Sequence, residues 1–279
     1  MFCPTYERDG EDQLHPLTLA SLGEIQPPTG VEVDLVIGRD NPYPDGRHIN
    51  TLHQYQQARA RALSGGYDAL FTVEHDMIVP PDALCKLWET AAPVVYALYV
   101  LRHSMAAINV MHFTGGKNVG DSLSVNPRVR EEADRRGWIE CSGVGFGCTL
   151  IRRSALEQFE FRATGDSYSP DFGFATDCVR AGVKQIARFD VVCGHIDSEN
   201  SRVLWPGKGE MATVKVKILV GFVGSITGRG SIRFAPGEVA EIPDADASDF
   251  IRAGFVELLN KPPEIKIVNK GGVGKKAVK

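Results

Sequence analysis

Up to about residue 200, short apolar runs alternate with amphipathic stretches, and few folds accept that alternation. The run at 31–38, VEVDLVIG, reads as a strand, and 53–64, HQYQQARARALS, as a helix stopped by Gly65-Gly66. A strand follows at 69–73 (ALFTV), then a helix at 82–90 and a buried strand at 93–101 (PVVYALYVL). Residues 109–113 read as a strand running into Gly115-Gly116, and 127–136 as a charged helix. Strands at 148–151 and 187–193 follow, the first leading into a helix from Arg153. Strands that alternate with helices bury their apolar faces in one sheet between helical layers. The predicted fold class is therefore α/β with a mostly parallel sheet.

The pattern breaks near Trp205-Pro206-Gly207-Lys208-Gly209, where Gly and Pro predict a loop or linker. Beyond it lie a strand at 214–220, a Gly/Ser loop at 224–230, and runs at 231–234 and 239–242. Pro236-Gly237 would join those two runs as a hairpin. A short helix at 245–253, ended by Gly254, and a strand at 255–259 complete the segment. The expected organisation is a main domain at 1–205, a linker at 206–213 and a small β-rich module at 214–260. The module is near the lower size for independent stability. Residues 261–279 carry six lysines and one glutamate and read as a mobile basic tail.

Composition narrows the function classes. A net charge of -4 over 279 residues gives no global basic field for nucleic acid and leaves only local patches. The six cysteines form no CxxC pair and sit mostly in apolar runs, which points to a reduced, cytoplasmic setting. The longest apolar stretch, 91–101, is too short to span a bilayer. Met1-Phe2-Cys3 runs straight into Pro4-Thr5-Tyr6 with no signal-peptide pattern. Arg128, Arg130, Arg135 and Arg136 interleave with Glu131, Glu132 and Asp134, so they read as a solvated helix face.

Three constellations are able to carry chemistry. Glu74-His75-Asp76 ends the apolar 69–73 strand, where charges must be solvated, paired or bound to metal. In open α/β sheets that edge is also where ligands bind. A carboxylate there either holds a hard divalent ion or simply caps a solvated strand end. Gly143, Gly145 and Gly147 in CSGVGFGCTLIRR either let a ligand approach the backbone or mark a bulged strand. This run has neither GxGxxG spacing nor a P-loop Lys-Ser/Thr. The third constellation joins Asp171 in SPDFGFATDCVRAG to His195 in VCGHI. By spacing alone, Asp171 is a helix N-cap or a reactive carboxylate, and His195 a structural histidine or a ligand.

In this order the pieces resemble a nucleotide-sugar glycosyltransferase of the GT-A fold, in the large family-two group, over about residues 1–200. Pro4-Thr5-Tyr6 is similar to that group's opening motif, and the segment around Glu74-His75-Asp76 to its DxD motif. GVGFGCTLIRR resembles the Gly-rich acceptor-side strand with its following Arg. Asp171, Gly182 and His195 have the spacing of its "ED…G…GH" block.

The resemblance implies specific roles. Asp76 and His195 would bind Mn²⁺ or Mg²⁺ on the diphosphate of a UDP- or GDP-sugar. Glu74 would face the donor's ribose or the metal shell, His75 would face the donor, and Pro4, Thr5, Tyr6 and Asp40 would surround its base and ribose. Asp171 would be the general base for an acceptor hydroxyl, giving inversion at the anomeric carbon. By their position alone, Arg102 either faces the donor or the acceptor or is a surface arginine, and Trp205 either closes over the bound donor, as loops there do in this fold, or packs the linker. The chain departs from the pattern at Glu74, which replaces the first DxD aspartate, and at Pro170, which replaces the Glu before the base. Asp177 is the alternative base.

The compact main domain with a β-rich addition resembles virus-encoded members of the group. That implies two acceptors, a hydroxymethylated base in phage DNA or a virion or host protein or glycan, and a host-cytoplasmic setting. A DNA acceptor would have to present its hydroxyl on a groove-facing or flipped base, with the basic tail adding phosphate contacts. A non-catalytic nucleotide-sugar binder is the third alternative. Nucleotidyltransferases fit less well, since only Arg8 and Gly10 follow Pro4 where they carry a Gly-rich loop with Arg or Lys.

Overall fold

The computed structural model of the chain describes residues 1–8, 11–12, 14–43, 46–101, 104–108, 110–112, 127–163, 169–198, 202–206, 213–226, 230–243, 247, 250–251 and 254–259. Seven strands form the central sheet. Their spatial order is Trp138–Cys141, Gln185–Val192, Val94–Leu98, Cys148–Arg152, Ala69–Val73, Phe2–Pro4 and Val36–Gly38. Five run in one direction, while Cys148–Arg152 and Trp138–Cys141 run against them. The sheet is therefore mostly parallel, as the alternation of elements predicts. Its interior strand Val94–Leu98 is buried along its whole length, which is why it reads as a continuous apolar run.

Helices cover the sheet. The long helix Arg47–Ser64 packs on Phe2–Pro4 and Ala69–Val73 and also touches helices Arg153–Gln158 and Pro170–Arg180. Helix Ala83–Glu89 packs on Val94–Leu98, Cys148–Arg152 and Gln185–Val192. A second, three-stranded sheet joins Met77–Ile78, Gly194–Asp197 and Arg202–Leu204, with Met77 opposite His195 and His195 opposite Leu204. No disulfide joins any of the six cysteines, all of them described. Among the described residues no helix is long and apolar enough to cross a membrane.

Several elements differ from the sequence expectation. The strand expected at 31–38 is only Val36–Gly38, because its partner Phe2–Pro4 offers three residues to pair with. The helix expected from His53 begins at Arg47. The run at 93–101 is two strands, Val94–Leu98 and Val100–Leu101, interrupted at Tyr99. The strand expected at 109–113 lies earlier, at Ser104–Ile108, antiparallel to Val100–Leu101. Met111 makes a single bridge to Gly143, and Asn109 and Phe113 fall outside the described residues. His195 does not close the preceding strand but belongs to the separate strand Gly194–Asp197.

The carboxyl-terminal segment is β-rich, as expected, with different pairing. Thr213–Ile218 lies between Val239–Pro243 and Val256–Leu258. Phe222–Ile226 pairs with Gly230–Phe234, so part of the expected Gly/Ser loop is strand. Pro236-Gly237 does not close a hairpin. It carries the chain from one sheet to the other, clamped by Gly237 N–H on the Ile218 carbonyl (2.8 Å) and Ile218 N–H on the Glu238 carbonyl (2.8 Å). Gly237 has φ 83°, a conformation that favours glycine. Val216, Ile218, Phe234, Ile242, Ala247 and Val256 form a hydrophobic cluster of their own. Ala247, Phe250 and Ile251 are helical, and the rest of the expected helix at 245–253, save Gly254 beyond it, is outside the described residues. Residues 207–212 of the expected linker and the whole tail 261–279 also lie outside them.

Candidate functional site

The strands Phe2–Pro4 and Ala69–Val73 run parallel, so their following residues leave the sheet at the same edge. Pro4-Thr5-Tyr6 and Glu74-His75 therefore meet across a cavity of about 200 Å³. Ser169, Pro170 and Asp171, at the start of helix Pro170–Arg180, line it from another side, and His48 and Thr51 of the long helix from a third, with Phe146.

Local hydrogen bonds fix each wall. Thr5 donates both its N–H (2.9 Å) and its hydroxyl (2.8 Å) to the Gly38 carbonyl. The Gln54 side chain clamps the same residue, accepting from Thr5 N–H (3.2 Å) and donating to its carbonyl (2.6 Å). Tyr6 meets the His75 imidazole edge to face, with centroids 4.9 Å apart. Glu74 N–H donates to the Gly147 carbonyl (3.1 Å), and the Glu74 carbonyl accepts from Met77 N–H (3.1 Å), so 74–77 is a tight turn tied to the Gly-rich segment. Hydroxyls from the two neighbouring strands hold that segment: Thr72 donates to the Phe146 carbonyl (2.9 Å) and Thr149 to the Gly145 carbonyl (2.8 Å).

The turn also places Asp76. Its carbonyl accepts from Ile196 N–H (2.8 Å), which sets the carboxylate beside His195. Asp76 Oδ2 is 3.6 Å from His195 Nε2 and 3.8 Å from His75 Nε2. Asp76 and His195 are 3% and 6% exposed and lie off the cavity, behind its Glu74-His75 wall. His195 Nδ1 is 2.7 Å from the Val100 carbonyl, which only accepts. In the neutral ring the proton is thus on Nδ1, and the Nε2 lone pair faces Asp76.

That donor set fits a hard divalent ion. Ligand bonds of about 2.1 Å place two donors about 3.0 Å apart at a right angle and about 3.4 Å apart at a tetrahedral angle. The 3.6 Å gap needs little adjustment. Among the described residues no group of three or more His, Cys, Asp or Glu side chains is arranged to hold a metal. Two protein ligands suit an ion that takes its remaining ligands from phosphate and water.

Asp171 is not the N-cap, which is Ser169. It occupies the first turn of its helix. Its Oδ1 accepts from Phe172 N–H (2.8 Å) and from the Ser169 hydroxyl, while Oδ2 faces Gly145. Asp171 is half-buried and lines the cavity. Burial raises its carboxyl above the usual carboxylate range, against the lowering effect of those two hydrogen bonds. Asp177, the alternative base, is committed elsewhere: Arg162 grips it through two hydrogen bonds of 2.6 and 2.7 Å.

The remaining expected residues are placed as follows. Asp40 does not line the Tyr6 cavity. It borders a second one, about 320 Å³, with Phe2, Gly38 and Arg61. There Gln57 (2.7 Å) and His53 (3.1 Å) hold its carboxyl below the usual range, the Gln57 bond contributing most. Trp205 is 52% exposed, and its ring lies where a Gly194 side chain would be, 2.8 Å from that β-carbon position. Arg102 falls outside the described residues. Of the expected basic stretch, Arg135 and Arg136 pair with Glu132 at 2.7 and 3.7 Å on the solvated helix.

Sequence reading missed Tyr99, Tyr55, His48, Thr51 and Gln54. Tyr99 is 4% exposed, at the break between two strands. Its ring stands perpendicular to the His195 imidazole, centroids 5.7 Å apart. Its hydroxyl accepts from Gly147 N–H (3.4 Å). Tyr55 is fully buried under the cavity among Phe2, Phe146 and Phe161, and its hydroxyl has no hydrogen-bond partner among the described residues. Burial, then the Glu74 and Asp171 charges, pushes both phenols well above their usual range. His48, Thr51 and Tyr55 share one helix face at i, i+3 and i+7, a signal lost when the helix is started at His53.

No family model matches the chain, and no curated protein matches it. Among solved structures it is similar to A197 from STIV, with TM-score 0.46 and 15% identity over 74% of this chain and 93% of that one. It is also similar to the catalytic domain of Drosophila beta1,4galactosyltransferase 7 in complex with xylobiose, with TM-score 0.39 and 16% identity over 89% and 95% of the two chains. A third similarity is to the inositol-1-phosphate CTP transferase from T. maritima, with TM-score 0.33 and 14% identity over 61% and 63%.

Proposed function

We propose that this chain is an inverting, metal-dependent glycosyltransferase that moves a sugar from a nucleotide-diphosphate donor to an acceptor hydroxyl. One observation carries the reading: three segments far apart in sequence, Pro4–Tyr6, Glu74–His75 and Ser169–Asp171, converge on one cavity at the sheet's carboxyl edge, with Asp76 and His195 directly behind it.

Asp171 suits a general base. A carboxylate held above its usual range by burial takes a proton more readily than a solvated one, and its Oδ1 is fixed by two donors. Ser169 supplies a hydrogen bond beside Pro170, where the family pattern has a carboxylate. As Asp171 removes the acceptor's proton, the acceptor oxygen bonds to the anomeric carbon. The bond from that carbon to the diphosphate oxygen breaks with its electron pair, and the configuration inverts. A divalent ion bound by Asp76 and His195, Mn²⁺ or Mg²⁺, would offset the charge on the departing diphosphate. Tyr6 offers a ring for the donor base, ordered by His75, and Thr5 a backbone position fixed by Gln54. Trp205 is exposed beside Gly194 and would close over the donor.

The proposed acceptor is a hydroxymethylated base in DNA. The test is nucleotide diphosphate release from a panel of UDP-, GDP- and TDP-sugars with Mn²⁺, with and without hydroxymethylcytosine DNA. Release that stops with EDTA and with Asp76→Ala supports the transferase, and acceleration by the DNA supports the acceptor. Release without a DNA effect moves the acceptor to proteins or glycans. No release from any donor overturns the reading.

A further inference from the structure

The interruption at Tyr99 is built into the sheet. Strand Val94–Leu98 stops there and the chain resumes as Val100–Leu101. Across from it, the pairing of Gln185–Val192 slips register between Arg188 and Val192. An irregularity in pairing beside a strand break frees the next residue from the regular alternation. Tyr99 thereby points into the Gly-rich segment, where both glycines give it room. A β-carbon on Gly145 would stand 2.2 Å from the Tyr99 hydroxyl oxygen, and one on Gly147 would stand 2.7 Å from the ring. Neither glycine has a positive φ, so close approach and not backbone conformation accounts for them.

Two halves of the site meet on this residue. The ring of Tyr99 and the carbonyl of Val100, consecutive in the chain, both hold the His195 imidazole. The Tyr99 hydroxyl anchors Gly147 N–H and shares a neighbourhood with the Asp171 carboxylate, since Asp171 Oδ2 is 3.1 Å from the same Gly145 β-carbon position. Glu74, Asp76 and Asp171 are the charged groups around the phenol.

We propose that Tyr99 is a positioning residue with two separable ends. Its ring holds the His195 imidazole in the orientation that keeps Nδ1 on the Val100 carbonyl, and with it the tautomer, and its hydroxyl fixes the Gly145-Phe146-Gly147 turn against Asp171. The kinetic part of this inference rests on the glycosyltransferase reading; the part concerning His195 does not.

Two measurements on the full chain test it. Long-range ¹H–¹⁵N spectra of neutral His195 distinguish the Nδ1–H from the Nε2–H form. The wild type and Tyr99→Phe should show Nδ1–H alone, and Tyr99→Leu a mixture. An unchanged single tautomer in Tyr99→Leu overturns the role of the ring. In nucleotide diphosphate release, Tyr99→Phe should lower kcat about tenfold with donor KM within about twofold, the pattern of a misplaced reacting group. Gly145→Ala should lower kcat similarly, and adding it to Tyr99→Phe should cost nothing more. Wild-type kcat in Tyr99→Phe overturns the role of the hydroxyl. If the wild-type protein turns over no donor, the glycosyltransferase reading fails while the His195 spectra still decide this one. Should Tyr99→Leu not fold, loss of the single tautomer in Tyr99→Phe would itself contradict the assignment to the ring.

Discussion

Gly145→Ala should destabilise the protein through a single contact, and removing one oxygen should repair it. The new methyl would sit 2.2 Å from the Tyr99 hydroxyl oxygen, far inside van der Waals contact. The next neighbours are Asp171 Oδ2 at 3.1 Å and Tyr99 Cζ at 3.5 Å. Overpacking of this kind costs about 1–3 kcal/mol. Tyr99→Phe alone forfeits the Gly147 hydrogen bond and should cost about 1 kcal/mol. Independent effects would make the double variant about 2–4 kcal/mol less stable than wild type. Without the hydroxyl, however, the added methyl meets only the ring carbon at ordinary contact distance and Asp171 Oδ2 slightly closer. The double variant should therefore cost little more than Tyr99→Phe alone, a coupling of about 1–3 kcal/mol. Urea unfolding of the four proteins, followed by circular dichroism and compared at equal m, measures the cycle. Additive losses would refute the argument, because they would mean that Gly145 is required for some reason other than Tyr99.

Three further outcomes follow from the same geometry. Asp171→Asn should raise stability at neutral pH, because burial holds the folded-state carboxyl above its unfolded value. That penalty exists only while the group is ionised, so the gain should shrink as pH falls through the raised folded value and vanish below the ordinary carboxylate range. Thermal melts at several pH values check this, and a gain that grows in acid contradicts it. Tyr55→Phe should leave stability unchanged or slightly higher, since the lost hydroxyl has no partner among the described residues; a loss above about 1 kcal/mol in urea unfolding would reveal one. Gln54→Ala should cost about 1–3 kcal/mol, because it strips two hydrogen bonds from buried Thr5, and it should raise donor KM in the release assay.

The sequence carried the parts of this fold that depend on local pattern. Ala69–Val73 and Pro127–Arg136 lie where the apolar and charged runs place them, because a buried strand and a solvated helix each declare themselves in composition. Elements that depend on partners were not legible. The 31–35 run has strand composition but no strand beside it among the described residues, and 224–226 reads as loop yet pairs with 230–232. The site divides the same way. The Glu74–Asp76 cluster was visible because charges follow an apolar strand, and Asp171 and His195 came with the family resemblance. Tyr99 sits inside PVVYALYVL, where an aromatic reads as core; only the strand break and the two glycines reveal its direction. Gln54 and His48 are polar residues on a helix, and nothing in composition tells which face they take.

The most direct test of the account compares nucleotide diphosphate release by the wild type, Asp171→Asn and Asp177→Asn under the same donor and metal. Asp171 faces the cavity, whereas Asp177, on the same helix, is gripped by Arg162 from outside it. Asp171→Asn should lose about a hundredfold or more, as removal of a general base does. Asp177→Asn should retain most of the wild-type rate. Turnover that survives in Asp171→Asn and disappears in Asp177→Asn would contradict the assignment of the base and of the cavity it serves.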